Sequence, residues 1–444
     1  MFYIAQRWRA WIVVIMLFLF MVINFADKSV IGLAALPIMH DLGLSPQQLG
    51  LVGSSFFLLF SVSGVLFGFA ANRIKMKWLL ALLSIVWAAV QFPLVGTVSL
   101  PLLITCRLLL GAGEGPAYPL ALHTTYKWFE DGKRNVPTAI VQQGTITGML
   151  VAGPCLTFLI IHYDWHSTFL ALGIAGCLWT ALWLLVGAEG TVDEQPEVPT
   201  THVAPAGRRV PYRQLAADPT LLGSLLLCFV GYTVIALGIT WFPAYLHLGL
   251  GYPRAEVGWL FALIVGGSIP ASLVASYISQ WLTGKGVPSR LSRGLMTSVP
   301  TLVAGIALLT TTASLGAGMK VACLCITTAF GQLCFLFCPL MIGEVTPAKQ
   351  RGAWLGINNS IAALGGLIAP ALMGHFIGNA HGSPEGFEYG FIVLGCLLVP
   401  TGLLGIWMLD PERSVRRFQQ YRIVPDDRDQ RDGDVSVPAS EKII

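Results

Sequence analysis

Four ionisable residues stand inside long apolar stretches: Asp27 and Lys28 in NFADKSV, and Arg107 and Glu114 in RLLLGAGEGPAYP. A charge within a membrane span costs at least ~2.5–3.5 kcal/mol unless paired or hydrated, so each marks function by default. Arg107, Gly111, Glu114 and Tyr118 follow i, i+4, i+7, i+11 and share one helix face. Arg107 and Glu114 are two turns apart, roughly 10 Å by helix rise. That is too far for a direct bond but suits two groups along a cavity wall. Asp27 and Lys28 point about 100° apart on a helix. One is expected to face a central cavity and the other to contact the fourth or fifth apolar segment.

These residue types support one chemistry in particular. Burial disfavours an ionised carboxylate and a neighbouring cation favours it, so such a group can change protonation as its cavity changes face. Protonating Asp27 and Glu114 would free Arg107 and Lys28 to hold a substrate carboxylate, and returning the protons would loosen the site. That is symport of a proton with an anion, written as competition for one cation. Arg107 is the better carboxylate clamp because its planar fork binds bidentately. Two structural readings compete: a charge network that merely staples segment one to segment four, and a Lys28 that snorkels to the membrane surface.

The surrounding elements follow from composition. Of 444 residues, 55% are hydrophobic and 11% charged, with a mean hydropathy of +0.70. Soluble domains carry about 25% charged residues, which excludes an ordinary soluble enzyme. Twelve spans of about 20 residues need roughly 240 apolar positions, close to what the chain supplies. Twelve apolar segments can be marked, at about 11–36, 47–70, 78–97, 101–126, 137–161 and 167–187, then 220–246, 256–281, 295–313, 320–343, 353–378 and 389–409. The fold class expected is an all-α integral membrane protein with 12 transmembrane helices in two six-helix bundles, 1–187 and 220–409. A Pro-rich cytoplasmic linker at 188–219 separates them, and a charged tail occupies 410–444, disordered towards its end. The start carries no cleavage site and reads as the first retained span.

Orientation follows from the cations. Of 27 Lys and Arg, 23 fall in the termini and alternate loops, Arg254 and Lys320 fall in the opposite loops, and Lys28 and Arg107 lie within spans. The positive-inside bias places both termini in the cytoplasm. The halves also repeat. Superposing Pro154 on Pro370 sets Lys133 on Lys349 and Gln142–Gln143 on Asn358–Asn359. Parallel six-span repeats about an axis along the membrane normal are the architecture of major facilitator transporters. All four buried charges lie in the first half, which predicts that this half handles charge. The second half offers neutral polar groups such as Tyr232, Thr240, Ser268 and Gln332.

On these residues the chain resembles the anion:cation symporter family of the major facilitator superfamily, which carries organic and sugar acids. The resemblance covers the whole chain and rests on NFADK, on RLLLGAGEGPAYP and on the amide pairs. It implies that Asp27 and Glu114 are protonation sites and that Arg107 tunes coupling. Lys28 stands where the family has a substrate-binding Arg, and Gln142, Gln143, Asn358 and Asn359 stand at polar substrate contacts. Phe25 and Phe60 replace tyrosines common in sugar-acid carriers, which points to a less hydroxylated acid. Asn72 replaces the usual Asp of the loop after segment two, so gating charges there are weaker or supplied elsewhere. The resemblance implies proton-coupled uptake of a small organic anion by alternating access, in a bacterial inner membrane, by a monomer with no cofactor.

Other signals carry less. Nine scattered Cys argue against a disulfide framework. Cys334 and Cys338 at i,i+4, and His162, Asp164 and His166 in HYDWH, have metal-like spacing but read better as packing and loop residues. His123 reads as packing or capping. Trp241, Tyr245 and Trp354 read as interfacial or packing aromatics, with Trp241 a possible cavity wall. No nucleophile–base set or metal cluster supports an enzyme, no feature calls for nucleic acid, and the short tail leaves no sensor domain. A proton-driven exporter or a uniporter of a metabolite or drug shares the fold but has no specific need for a cation between two carboxylates.

Overall fold

The computed structural model describes residues 2–70, 74–129, 135–190, 210–381 and 383–423, whose regular elements are all helices, with no strand among them. Asn72, Lys133 and most of the linker lie outside the described residues. The first half contains α1 (Phe2–Leu33), α2 (Pro46–Ala70), α3 (Met76–Gln91), α4 (Leu100–Glu114), α5 (Asn135–His162) and α6 (Trp165–Val186). The second contains α7 (Pro219–Ala244), α8 (Arg254–Gly266), α9 (Met296–Thr310), α10 (Ala317–Gly331), α11 (Ala348–Asn379) and α12 (Pro384–Met408). Ten helical segments among the described residues are long and apolar enough to cross a membrane. The two remaining segments marked in the sequence are α2 and α4 with its continuation Ala117–Tyr126.

Local chemistry explains the breaks. Ser45 and Gln48 cap α2 reciprocally, backbone N–H to side-chain oxygen in both directions, at 2.9 and 3.2 Å. Asp164 accepts from the Ser167 N–H at 2.7 Å to start α6. α4 is interrupted after Glu114 because Pro116 and Pro119 cannot donate to the preceding turn.

Glycines let helices approach to backbone contact. A Cβ on Gly111 or Gly115 of the α4 segment would overlap the Phe56 or Phe60 carbonyl of α2, and one on Gly113 would strike Trp87 of α3. Gly144 and Gly148 of α5 receive the Phe18 and Val22 carbonyls of α1 in the same way. These contacts hold α4 to α2 and α3, and α1 to α5, at the depth of the charges.

The halves meet from mid-depth to the end remote from the chain termini. There Gly32 abuts the Ile239 carbonyl, Gly153 and Gly258 face each other, and Gly50 abuts the Pro370 carbonyl. The Ala371 N–H donates to Ser54 Oγ across this seam at 3.0 Å. On the terminus side, Glu189 binds Lys127 Nζ at 3.1 Å within the first half, and Glu344 binds Arg293 Nη1 at 2.7 Å within the second. The first part of the tail is a helix, Pro411–Ile423, packed on the second half through Ser414 and Phe418.

Candidate functional site

α1 carries Asp27 and Lys28 into the first half, and they diverge as their 100° separation requires. Lys28 turns to α4, where its Nζ lies 3.0 Å from Glu114 Oε2, and it also donates to Asn24 Oδ1 one turn back. Asp27 turns to α3, where Gln91 Nε2 donates to its Oδ1 at 2.9 Å. Arg107 does not pair with Glu114. Its Nη1 donates to the Asp27 backbone carbonyl at 3.4 Å, and its guanidinium lies 4.9 Å from the Phe56 ring centre. Asp27, Lys28, Arg107 and Glu114 are 1%, 5%, 2% and 1% exposed. Lys28 therefore points inward, away from any surface to which it would snorkel.

The Lys28 ammonium is walled by phenyl rings. Its Nζ lies 4.1 Å from the centre of Phe25, 5.2 Å from Phe60 and 5.8 Å from Phe56. Negative ring faces attract the cation without offering it a hydrogen-bond acceptor. Glu114 Oε1, Asn24 Nδ2 and Arg107 Nε are buried without hydrogen-bond partners among the described residues. The cluster thus holds unspent donors and an unspent carboxylate oxygen. Buried polar groups left open in this way call for a partner that the described residues do not supply.

The structure brings Asp27, Lys28, Arg107, Glu114, Phe25 and Phe60 together. Among the described residues no hydrogen bond joins the four amides to this cluster. Gln142 is exposed and Gln143 half-buried on the terminus-side part of α5. Asn359 is exposed on α11, while Asn358 is buried and turned towards the Cys228 thiol. Three polar or aromatic partners escaped the sequence reading: Gln91, Asn24 and Phe56. Asn24 carried a usable signal, an amide one helical turn before Lys28. Gln91 stands at the end of an apolar run, with no charged residue near it in the sequence to mark it.

The weaker candidates resolve as packing. Among the described residues no three His, Cys, Asp or Glu side chains have metal-binding geometry. His166 stacks on Trp165 and His162 on Phe158, while Asp164 caps α6. Trp241 is buried and donates to the Pro370 carbonyl at 3.0 Å, and Tyr245 and Trp354 are buried too.

With the geometry in place, comparison with known proteins decides the family. Residues 17–340 match the Major Facilitator Superfamily. The chain belongs to that superfamily. It is a multi-pass membrane transporter of the superfamily rather than an enzyme. It is 28% identical over 407 residues to the hexuronate transporter of Bacillus subtilis (strain 168), covering 90% of this chain and 94% of that one. It is 25% identical over 416 residues to a probable L-galactonate transporter of Escherichia coli (strain K12), covering 89% and 88%. Among solved structures, a bacterial homologue of the human lysosomal transporter Spinster, inward-facing and unoccupied, superposes with a TM-score of 0.75 at 18% identity, covering 92% of this chain and 98% of that one. A D-xylose–proton symporter superposes with a TM-score of 0.71 at 16% identity, covering 90% and 98%. Both structural likenesses concern the fold.

Proposed function

We propose that this superfamily member takes up a small organic carboxylate together with protons, by alternating access. The observation that carries the reading is the buried Lys28–Glu114 pair beside Asp27. Lys28 is a cation already matched by a carboxylate, so a substrate carboxylate competes with Glu114 for it. Protonating Glu114 removes the competitor and lets the substrate take the ammonium. Breaking a buried ion pair while leaving one charge uncompensated costs about 3–5 kcal/mol. Proton and anion therefore enter together at lower cost than either alone.

Asp27 acts at one remove. Its carboxylate takes the Gln91 amide while its backbone carbonyl takes Arg107. A proton on Asp27 weakens the acceptor that holds α1 to α3, the same stretch of α1 that carries Lys28. Contact between the halves from mid-depth to the remote end, through Gly32, Ser54 and Gly153, supports a conformer closed at that end. The relatives named for hexuronate and L-galactonate transport support an acid substrate. The phenyl walls of Phe25, Phe56 and Phe60 favour an acid with an apolar body beside its carboxylate. We place the chain in a bacterial inner membrane from its family resemblance and short loops, with both termini cytoplasmic from the cation bias of those loops. Uptake of labelled carboxylic acids into proteoliposomes under an imposed pH gradient tests the reading. Accumulation that follows the gradient supports it, and accumulation indifferent to the gradient overturns it.

A further inference from the structure

A second polar cavity lies in the other half of the protein. The start of α7, the end of α12 and the helix Pro411–Ile423 enclose about 350 Å³. That is within the ~300–1,000 Å³ range of small-molecule sites. Arg413, Arg416 and Arg417 line it at i, i+3 and i+4, so they form one cationic wall. Among the described residues none of the three guanidiniums is in an ion pair with a carboxylate.

Asp218 and Asp410 line the cavity beside them. Asp218 is 1% exposed; its Oδ1 accepts from Ser414 Oγ at 2.9 Å and from the Thr220 and Leu221 N–H groups at 3.1 and 3.3 Å. Its Oδ2 is buried with no hydrogen-bond partner among the described residues. Asp410, also on the cavity, is engaged by the Arg413 N–H at 3.0 Å and by Arg290 at 3.7 Å. Among the described residues the cavity is therefore lined by three exposed arginines outside any ion pair, with Arg417 within electrostatic reach of Asp218, and by one buried carboxylate oxygen without a hydrogen-bond partner. A simple anion satisfies only the first. A zwitterion that joins a phosphate to an N–H-bearing ammonium satisfies both.

Depth indicates where such a group comes from. The apolar stretch of α12 ends at Met408, and Trp407, 72% exposed, lines the cavity. Tryptophan at the end of a span sits at the level of lipid headgroups. We propose that this cavity seats the phosphoethanolamine headgroup of a phospholipid, with phosphate on Arg413, Arg416 and Arg417 and ammonium on Asp218 Oδ2. The lipid would clamp the tail helix to α7 and α12.

The test uses the full-length protein in nanodiscs of phosphatidylcholine alone, or doped with phosphatidylethanolamine or phosphatidylglycerol, with thermal unfolding as the readout. Choline has no N–H to give Asp218, and phosphatidylglycerol has no cation at all. Phosphatidylethanolamine is expected to raise Tm above both other lipids. Asp218→Asn keeps a capping oxygen and is expected to erase the preference for phosphatidylethanolamine over phosphatidylglycerol. The double variant Arg416→Gln/Arg417→Gln is expected to weaken stabilisation by both. Equal stabilisation by the three lipids, a greater effect of phosphatidylglycerol, or a preference that survives Asp218→Asn would overturn the proposal. Stabilisation by soluble glycerophosphoethanolamine in detergent, equal to that of the lipid, would overturn the lipid assignment in favour of a free metabolite.

Discussion

Lys28 and Glu114 face each other across α1 and α4, Nζ to Oε2 at 3.0 Å, with both side chains buried. The pair joins residues far apart in the chain and neutralises the ammonium that lies against Phe25, Phe56 and Phe60. Its energetic sense is asymmetric. Together the charges are tolerated, but either alone is expensive.

Lys28→Met tests that asymmetry from the cation side. It leaves Glu114 buried without its counter-charge, so a stability loss of about 3–5 kcal/mol is expected while Glu114 stays ionised. Thermal unfolding should show the loss, and the double variant Lys28→Met/Glu114→Gln should recover much of it. Binding of a carboxylate ligand should fall at least tenfold in both. A single variant as stable as wild type would show that the pair is solvated.

Gln91→Leu removes the donor to Asp27 Oδ1 without touching Lys28. A buried acceptor left unsatisfied costs about 1–3 kcal/mol. Transport should slow several-fold because the Asp27 segment of α1 loses its tie to α3. Unchanged unfolding together with unchanged uptake would remove Gln91 from the site.

Gly153→Ala places a methyl group against the Gly258 carbonyl at the seam between the halves. Overpacking of this kind costs about 1–3 kcal/mol, equivalent to a shift of about 5–150-fold between two conformers. Spin labels at positions 163 and 252, at the remote end, should report a larger fraction of separated distances. An unshifted distribution would show that the seam relaxes around the methyl group.

Asp41 lies outside the membrane spans, where hydrogen bonds from His40 at 3.1 Å and Trp165 at 2.7 Å hold its carboxyl below the usual range. A depressed carboxylate adds stability above its unfolded value, near 3.9. That stability is lost as pH falls through the lower folded value. The side chain is 47% exposed, so the effect is screened to less than about 1 kcal/mol. Asp41→Asn should cost that little at neutral pH and should flatten the loss of stability below about pH 4, read by thermal unfolding across pH.

Much of this was legible in the residues. Composition settles that the protein is a helical membrane protein, and the depth of four charges marks the site before any coordinate is known. The i, i+7 spacing correctly denies Arg107 and Glu114 a direct bond. Partner choice was not legible, because which α4 side chain meets Lys28 depends on glycine contacts such as Gly111 on Phe56 that set helix rotation and depth. The amide repeat shows the limit most clearly. Gln142 and Asn358 occupy equivalent positions in the two halves, yet one is exposed and the other buried beside Cys228. Repeat register specifies position along a helix, whereas the packing around each helix specifies what the side chain meets.

The central claim is that Glu114 exchanges a proton for the substrate's hold on Lys28. Uphill accumulation of a labelled carboxylic acid in proteoliposomes, driven by an imposed pH gradient, tests it when wild type and Glu114→Gln are compared at equal reconstitution. The account expects wild type to concentrate the acid, and Glu114→Gln to exchange it across the membrane without concentrating it. Uphill accumulation by Glu114→Gln equal to wild type would contradict the account.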